Sequence, residues 1–345
     1  MPKDSENIPI VELPSQPTEP SGFSPQQMVR CDECLRANPP TRVNCLYCGL
    51  ALPVNDASVA LAKPSLRPLE SWEQGYNCIA LSLQDREPSE ELSNQVAALL
   101  RLEPGAIHRL LATKRDLPLA RSATPEEAAL IERRLSELGW KTITVPDSEL
   151  RIESAPPMRL RRFELRETDF LAYQILGTEG TPIDWEAISL IVVGRLFVKQ
   201  VQLRERKRRR PENEILDSSE VASDDSVVDI YVREQPESWR VTASAFDFSC
   251  LGANKALLAG ENFPRLIELI RGRAPNAEIN ESYQSVRHCL ELAWPAEQRS
   301  QSAGMRLRGS KYSTSQIIST NSEPQFTRYS RLCDYLKKKS LVQPS

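Results

Sequence analysis

At 345 residues the chain is long for a single hydrophobic core, and two or three domains are expected. Apolar residues make up 40% and charged residues 26%, and the net charge of −3 excludes a global electrostatic attraction to nucleic acid, which would need a local patch instead. Twenty-six prolines against thirteen glycines point to proline-rich connections rather than to a glycine-turn α/β enzyme.

The start, Met1-Pro2-Lys3-Asp4-Ser5-Glu6-Asn7, has no apolar h-region. The longest aliphatic run lies around Ser189–Val193, far short of the roughly 20 residues of a membrane-spanning helix. A cytoplasmic location is therefore expected. The cysteines fit a reducing compartment: four sit at metal spacing, and Cys78, Cys250, Cys289 and Cys333 are scattered among apolar neighbours as buried free thiols.

Residues 1–29, interrupted by Pro9, Pro14, Pro17, Pro20 and Pro25, carry no sustained period and predict a disordered arm. Residues 30–53 hold Cys31-Asp32-Glu33-Cys34 and Cys45-Leu46-Tyr47-Cys48-Gly49, two C-x-x-C pairs separated by ten residues. A segment this short cannot bury enough apolar surface to fold alone, so a metal has to supply the missing free energy. Each pair aims two thiolates at one point, and Gly49 allows a turn with positive φ. The stretch resembles a zinc ribbon, with Cys31, Cys34, Cys45 and Cys48 as ligands of one structural zinc ion. A catalytic zinc needs an open position and a nearby acid or base, and no histidine lies near these cysteines. Arg36 and Arg42 are offset by Asp32 and Glu33, and four thiolates around a divalent ion add negative charge, which favours a protein partner over phosphate.

Residues 54–74, with Pro64 and Pro68, predict a linker. Residues 75–148 then read as strand, helix, helix, strand, helix, strand. Tyr76–Leu83 is the first strand, and Ser89 caps a helix over Glu90–Arg101. Pro104-Gly105 breaks it before a short helix over Ala106–Ala112, and Leu117–Ala120 is a short strand. Thr124, Pro125 and Glu127 open the best-punctuated helix as N-cap, first residue and capping-box partner; Ala128, Ile131, Leu135 and Leu138 form its stripe and Gly139 its stop. Trp140–Val145 returns as a strand. This βααβαβ order, with Ser122-Ala123-Thr124-Pro125-Glu126-Glu127-Ala128 and Leu135-Ser136-Glu137-Leu138-Gly139, resembles the C-terminal domain of the ribosomal stalk protein. In that family the two early helices contact translation factors. The corresponding stretch, Leu102 to Arg109, lacks the family's lysines, leaving a generic adaptor fold as the expectation.

After a linker at 149–157, residues 158–275 turn to strands: Arg162–Leu165, Phe170–Leu176, the run through Ile191–Val198, Val227–Val232 and Trp239–Phe248. A helix with Phe263, Leu266, Ile267 and Ile270 on one face follows. Antiparallel strands closed by one helix, with Trp185-x-x-Ile188 and Gly194, resemble a pleckstrin-homology-like domain, a fold whose members bind lipids or peptides. A helix in 276–295, a disordered stretch at 296–323 and a C-terminal helix over 324–340, docking back on the body through Phe326, Tyr329, Leu332 and Leu336, complete the chain. The expected fold class is thus multi-domain α+β: an N-terminal zinc ribbon, a small βααβαβ domain, then an antiparallel β domain closed by a C-terminal helix.

Arg204, Arg206, Lys207, Arg208, Arg209 and Arg210 form the strongest basic run and are candidate contacts for an anionic ligand. Six acidic residues between Glu212 and Asp225 follow at once, which predicts a disordered, self-screening loop over 204–226. No phosphate-cradling glycine loop, G-x-S-x-G or H-E-x-x-H motif occurs. His108 and His288 are remote in sequence, and Asp247 and Cys250 in Phe246-Asp247-Phe248-Ser249-Cys250 are the remaining candidates for an uncharacterised active site. The sequence favours a non-enzymatic adaptor for a protein partner. Nucleic acid or anionic membrane bound through 204–210 is the alternative, and an enzyme the third reading.

Overall fold

The computed structural model describes residues 23–25, 27–53, 64, 66–70, 73–82, 89–206, 214–305 and 313–342. The chain divides into two compact units, Met1–Lys63 and Pro64–Ser345. In the first, β1 (Val29–Arg30) and β2 (Ala37–Asn38) pair antiparallel beside the cysteine turns. Mixed helix and sheet make up the second.

Its first part follows the order read from the sequence: β3 (Tyr76–Ala80), α1 (Glu90–Leu100), α2 (Pro104–Ala112), β4 (Leu117–Ser122), α3 (Pro125–Glu137) and β5 (Thr142–Pro146). Pro104 opens α2 at its first turn instead of merely ending α1, because a proline there loses no helical hydrogen bond. Ser89 accepts from Leu92 N at 3.2 Å and Thr124 from Glu127 N at 3.3 Å, the two N-caps the sequence announces. Gly139 (φ +78°) lets Trp140 N close on Leu135 O at the end of α3. The three strands form an antiparallel sheet in the order β4-β3-β5.

The larger sheet runs β13-β14-β9-β10-β11-β6-β7-β8. Its strands are β6 (Met158–Leu165), β7 (Asp169–Gln174), β8 (Gly180–Asp184), β9 (Ile188–Arg206), β10 (Glu214–Val232), β11 (Ser238–Thr242), β13 (Glu297–Met305) and β14 (Ser313–Asn321). The short β12 (Glu278–Asn280) pairs parallel with the start of β9. Three helices accompany it: α4 (Ala259–Arg273), α5 (Tyr283–Leu290) and α6 (Glu323–Val342).

Period-two alternation explains why the Ile191-Val192-Val193 run is continuously apolar: the sheet is buried on both faces. Ile191, Val228, Ile230 and Val232 join Phe163, Phe170, Trp185, Leu266 and Ile270 in one core, beneath α4. Leu190, Val192, Val227 and Tyr231 point the other way, into a core shared with Tyr283, Leu290, Phe326, Tyr329 and Leu332 and with Cys78, Ile107, Leu119 and Ile131 of the first part. Residues 75–148 and 158–275, expected as separate domains, therefore share one buried core. The expected linker 149–157 is built in as well: Leu150 and Ala155 are buried and Ala155 O accepts from Arg331. From Pro64 onward the expected linker 54–74 likewise belongs to this unit, Pro64 itself being buried, while 54–63 lie outside the described residues.

Two further expectations are corrected. The stretch 204–226, read as a loose loop, is strand up to Arg206 and again from Glu214, and 296–323 holds β13 and β14. Both stretches are polar and lack apolar alternation, and residues 219–224 and 298–301 within them are exposed. Cross-strand pairing, rather than burial, defines these strands. The helix expected within 276–295 is α5 alone, preceded by β12.

The shared core is pinned by a buried carboxylate. Asp147 accepts from Gly75 N and from Asn77 Nδ2, both at 2.9 Å, and pairs with Arg121 and with Arg328 of α6. Burial pushes its pKa up, but Arg328, the Asn77 amide and Arg121 more than reverse this and hold it below the ordinary carboxylate range. A depressed folded-state pKa contributes stability that is complete above the unfolded value of about 3.9 and is lost as pH falls through the folded one. Asp147→Asn is expected to cost about 3–5 kcal/mol at neutral pH by stranding two guanidinium groups, and to flatten the acid limb of the stability curve. Urea denaturation from pH 7 down to 3 checks both, and an unchanged acid limb would contradict the assignment.

Candidate metal centre

The sequence folds the two C-x-x-C segments into matching turns. Leu35 N bonds to Cys31 O at 2.9 Å and Gly49 N to Cys45 O at 3.0 Å. One residue further on, Arg36 O accepts from Cys31 N at 3.0 Å, and Leu50 O from Cys45 N at 2.7 Å. The residue after each pair takes positive φ, Leu35 at +58° and Gly49 at +79°, so the first turn adopts the same left-handed corner without a glycine. The guanidinium of Arg36 lies 4.7 Å from the Tyr47 ring centroid, a cation–π contact between the turns.

The outcome is convergence of four sulfurs. Cys31 Sγ lies 3.6 Å from Cys48 Sγ and Cys34 Sγ 3.4 Å from Cys45 Sγ, and all four fall within 4.8 Å of one another. Tetrahedral coordination with metal–sulfur bonds of about 2.3 Å places its sulfurs about 3.8 Å apart. Cys31, Cys34, Cys45 and Cys48 are thus close enough to hold a metal ion, and the donor set fits one. Cys31 and Cys45 are buried, whereas Cys48 is exposed.

Asn38 is the residue the sequence reading passed over. Fully buried, it donates from Nδ2 to Cys45 Sγ at 3.4 Å and to Arg36 O at 3.0 Å, while its Oδ1 accepts from Leu46 N at 2.8 Å. It locks one turn against the other and feeds a donor to one of the four converging sulfurs. A buried asparagine is costly unless all its polar atoms are used, and an Asn at the end of an otherwise unremarkable two-residue strand was the available signal.

The sulfurs differ in acidity. Burial works against ionising Cys45, but donors at Cys48 and Tyr47, then the Cys34 thiol and the Asn38 amide, bring it down to about 6. For Cys48 the Leu50 backbone favours the thiolate, yet burial and the sulfurs of Cys31, Cys45 and Cys34 push it up to about 12. The Cys45 thiolate forms readily, whereas Cys48 ionises against the sulfurs packed around it. A cation is what permits all four.

Among the described residues the other sequence candidates are not brought together into one site. Asp247 caps the 3-10 helix Phe248–Asn254 by accepting from Ser249 N at 3.0 Å, and pairs with Lys255 at 3.3 Å. Burial pushes the thiol of Cys250 up to about 11, away from the reactive thiolate. His288 contacts Cys289 at 3.3 Å, but Cys289 is buried and burial raises its pKa as well. His108 lies on α2, its Nδ1 buried without a partner among the described residues. Arg204 and Arg206 lie at the end of β9, while Lys207, Arg208, Arg209 and Arg210 lie outside the described residues. No protein-family model, curated protein or solved structure matches the chain.

Asn38→Ala is expected to weaken metal affinity roughly 10–100-fold, in the range of lost outer-shell hydrogen bonds, with four ligands still in place. Competition against a chromophoric chelator measures it, and affinity unchanged from wild type would remove Asn38 from the site.

Proposed function

We propose that the protein is a non-enzymatic adaptor whose N-terminal unit is stapled by one structural zinc ion and whose partner is another protein. The observation that carries this reading is the completeness of the donor set: four thiol sulfurs converge, with no histidine or carboxylate among them. Four soft sulfurs in tetrahedral array suit zinc and leave no position for a substrate or an activated water. The zinc-ribbon resemblance belongs with this reading, and so does the expected cytoplasmic location. Among the described residues no helix is long and apolar enough to cross a membrane.

A protein partner is favoured over phosphate by the surface of the same unit. Leu35, Leu46, Tyr47 and Leu50 are each at least half exposed. Such side chains make the apolar centre of protein interfaces, and an ion held by four thiolates carries net negative charge that repels nucleic acid.

Affinity capture with the zinc-loaded full chain tests the proposal. Wild type is expected to retain a protein that Tyr47→Ala with Leu50→Ala loses by roughly tenfold or more, at unchanged metal content. Equal capture by the variant, or recovery of nuclease-sensitive material released steeply by salt, would overturn it.

A further inference from the structure

One cleft in the larger unit combines apolar walls with enclosed positive charge. Its volume of about 1000 Å³ is that of a small-molecule site. Leu66, Leu102, Ile152 and Leu292 line it from four separate segments. Each packs against the shared core and still keeps exposed surface.

Arg121 of β4 and Arg328 of α6 line the same cleft. They are the most enclosed of its charged side chains, at 9% and 12% exposure. Both lean on one carboxylate, that of Asp147. Arg328 reaches it through Nη1 alone, and its Nε and Nη2 have no partner among the described residues. Arg121 uses Nη2 on Asp147 and on Glu73 O, and its Nε is buried without a partner among the described residues. Two guanidinium groups thus share one negative charge. Burial pulls the pKa of Arg328 down; Asp147 opposes this and the charge of Arg121 adds to it, with a net lowering. Glu153 also acts on Arg328 but forms no ion pair with it among the described residues. The other charges of the cleft are engaged elsewhere or exposed. Arg67 pairs with Glu73 and Arg299 with Glu297, Glu291 accepts from Gln325 Nε2 and Ala296 N, and Arg101 and Glu70 are exposed.

We propose that this cleft binds a small amphiphilic monocarboxylate, with its carboxylate on Arg328 and Arg121 and its apolar body along Leu66, Leu102, Ile152 and Leu292. One added negative charge balances the second guanidinium, and the free nitrogens of Arg328 present the planar fork that a carboxylate meets. In an enclosed site that pairing is screened less by water than at a surface. A wholly apolar ligand would cover both guanidinium groups without supplying an acceptor, which costs free energy. A doubly charged phosphate monoester would exceed the single unmatched charge. The inference goes beyond the adaptor reading and does not depend on it.

Calorimetric titration of the full chain with decanoate tests the proposal, with decanol as the uncharged body and acetate as the bare head. Decanoate is expected to bind saturably at one site, with a Kd on the order of 100 μM for a ligand of this size. Decanol is expected to bind at least roughly tenfold more weakly, and acetate not measurably. Arg328→Lys keeps the charge but loses the fork, and a loss of about tenfold is expected. Leu292→Glu leaves the guanidinium network untouched and sets a carboxylate in the wall, so it is expected to abolish binding with wild-type circular dichroism. No saturable binding of decanoate, equal affinity for decanol, or wild-type affinity in Leu292→Glu overturns the proposal.

Discussion

One carboxylate, that of Asp147, is shared by strand, loop and C-terminal helix, and the arrangement of the larger unit follows from satisfying it. Through Asn77 and Gly75 it holds β3, through Arg121 it holds β4, and through Arg328 it holds α6. The amide oxygen of Asn77, Oδ1, accepts from Trp294 Nε1 at 2.7 Å, which extends the network into the segment that leads to β13. A buried charge is tolerated only where every partner is in place, so this network fixes position more than it adds stability. A second such pair acts on the same helix: Arg240 grips Asp229 with two hydrogen bonds at 2.7 and 2.8 Å and also reaches Glu323. A slide of α6 by one turn would take Arg328 from Asp147 and Glu323 from Arg240, so both contacts hold the helix in one register.

Packing agrees with that constraint. Gly194 on β9 lies under Phe326, and a β-carbon there would fall 2.5 Å from its ring. Phe326 in turn meets Tyr283 edge-on, with centroids 5.0 Å apart. The C-terminal helix is thus an internal wall between two sheets, which is why residues separated widely in sequence form one unit. The ribbon of β9, β10, β13 and β14 differs in kind. Its outer half is polar, and backbone pairing alone accounts for its strands.

Legibility in the sequence divided along this line. Helix ends announced by Ser89, Thr124 and Gly139 were readable because capping is local chemistry. The docking of α6 was readable from the spacing of Phe326, Tyr329 and Leu332. Merging of the expected domains was not, because proline-marked boundaries such as Ala155-Pro156-Pro157 look the same whether the flanking cores are separate or shared. Nor were the outer strands, since pairing between residues far apart leaves no periodic trace when neither face is buried. In the candidate metal centre the four cysteines that converge were readable from spacing alone. Asn38 was not, because its role lies in three hydrogen bonds that only the fold brings together.

Those four cysteines carry the functional reading, and the number that would bind the ion is its crux. A site closed by four thiolates is a staple, while a site with three and an open position is a place for chemistry. X-ray absorption at the metal edge of the purified, zinc-loaded full chain separates the two most directly. The account predicts a shell of four sulfurs at about 2.3 Å and nothing lighter. A nitrogen or oxygen in that shell would contradict it.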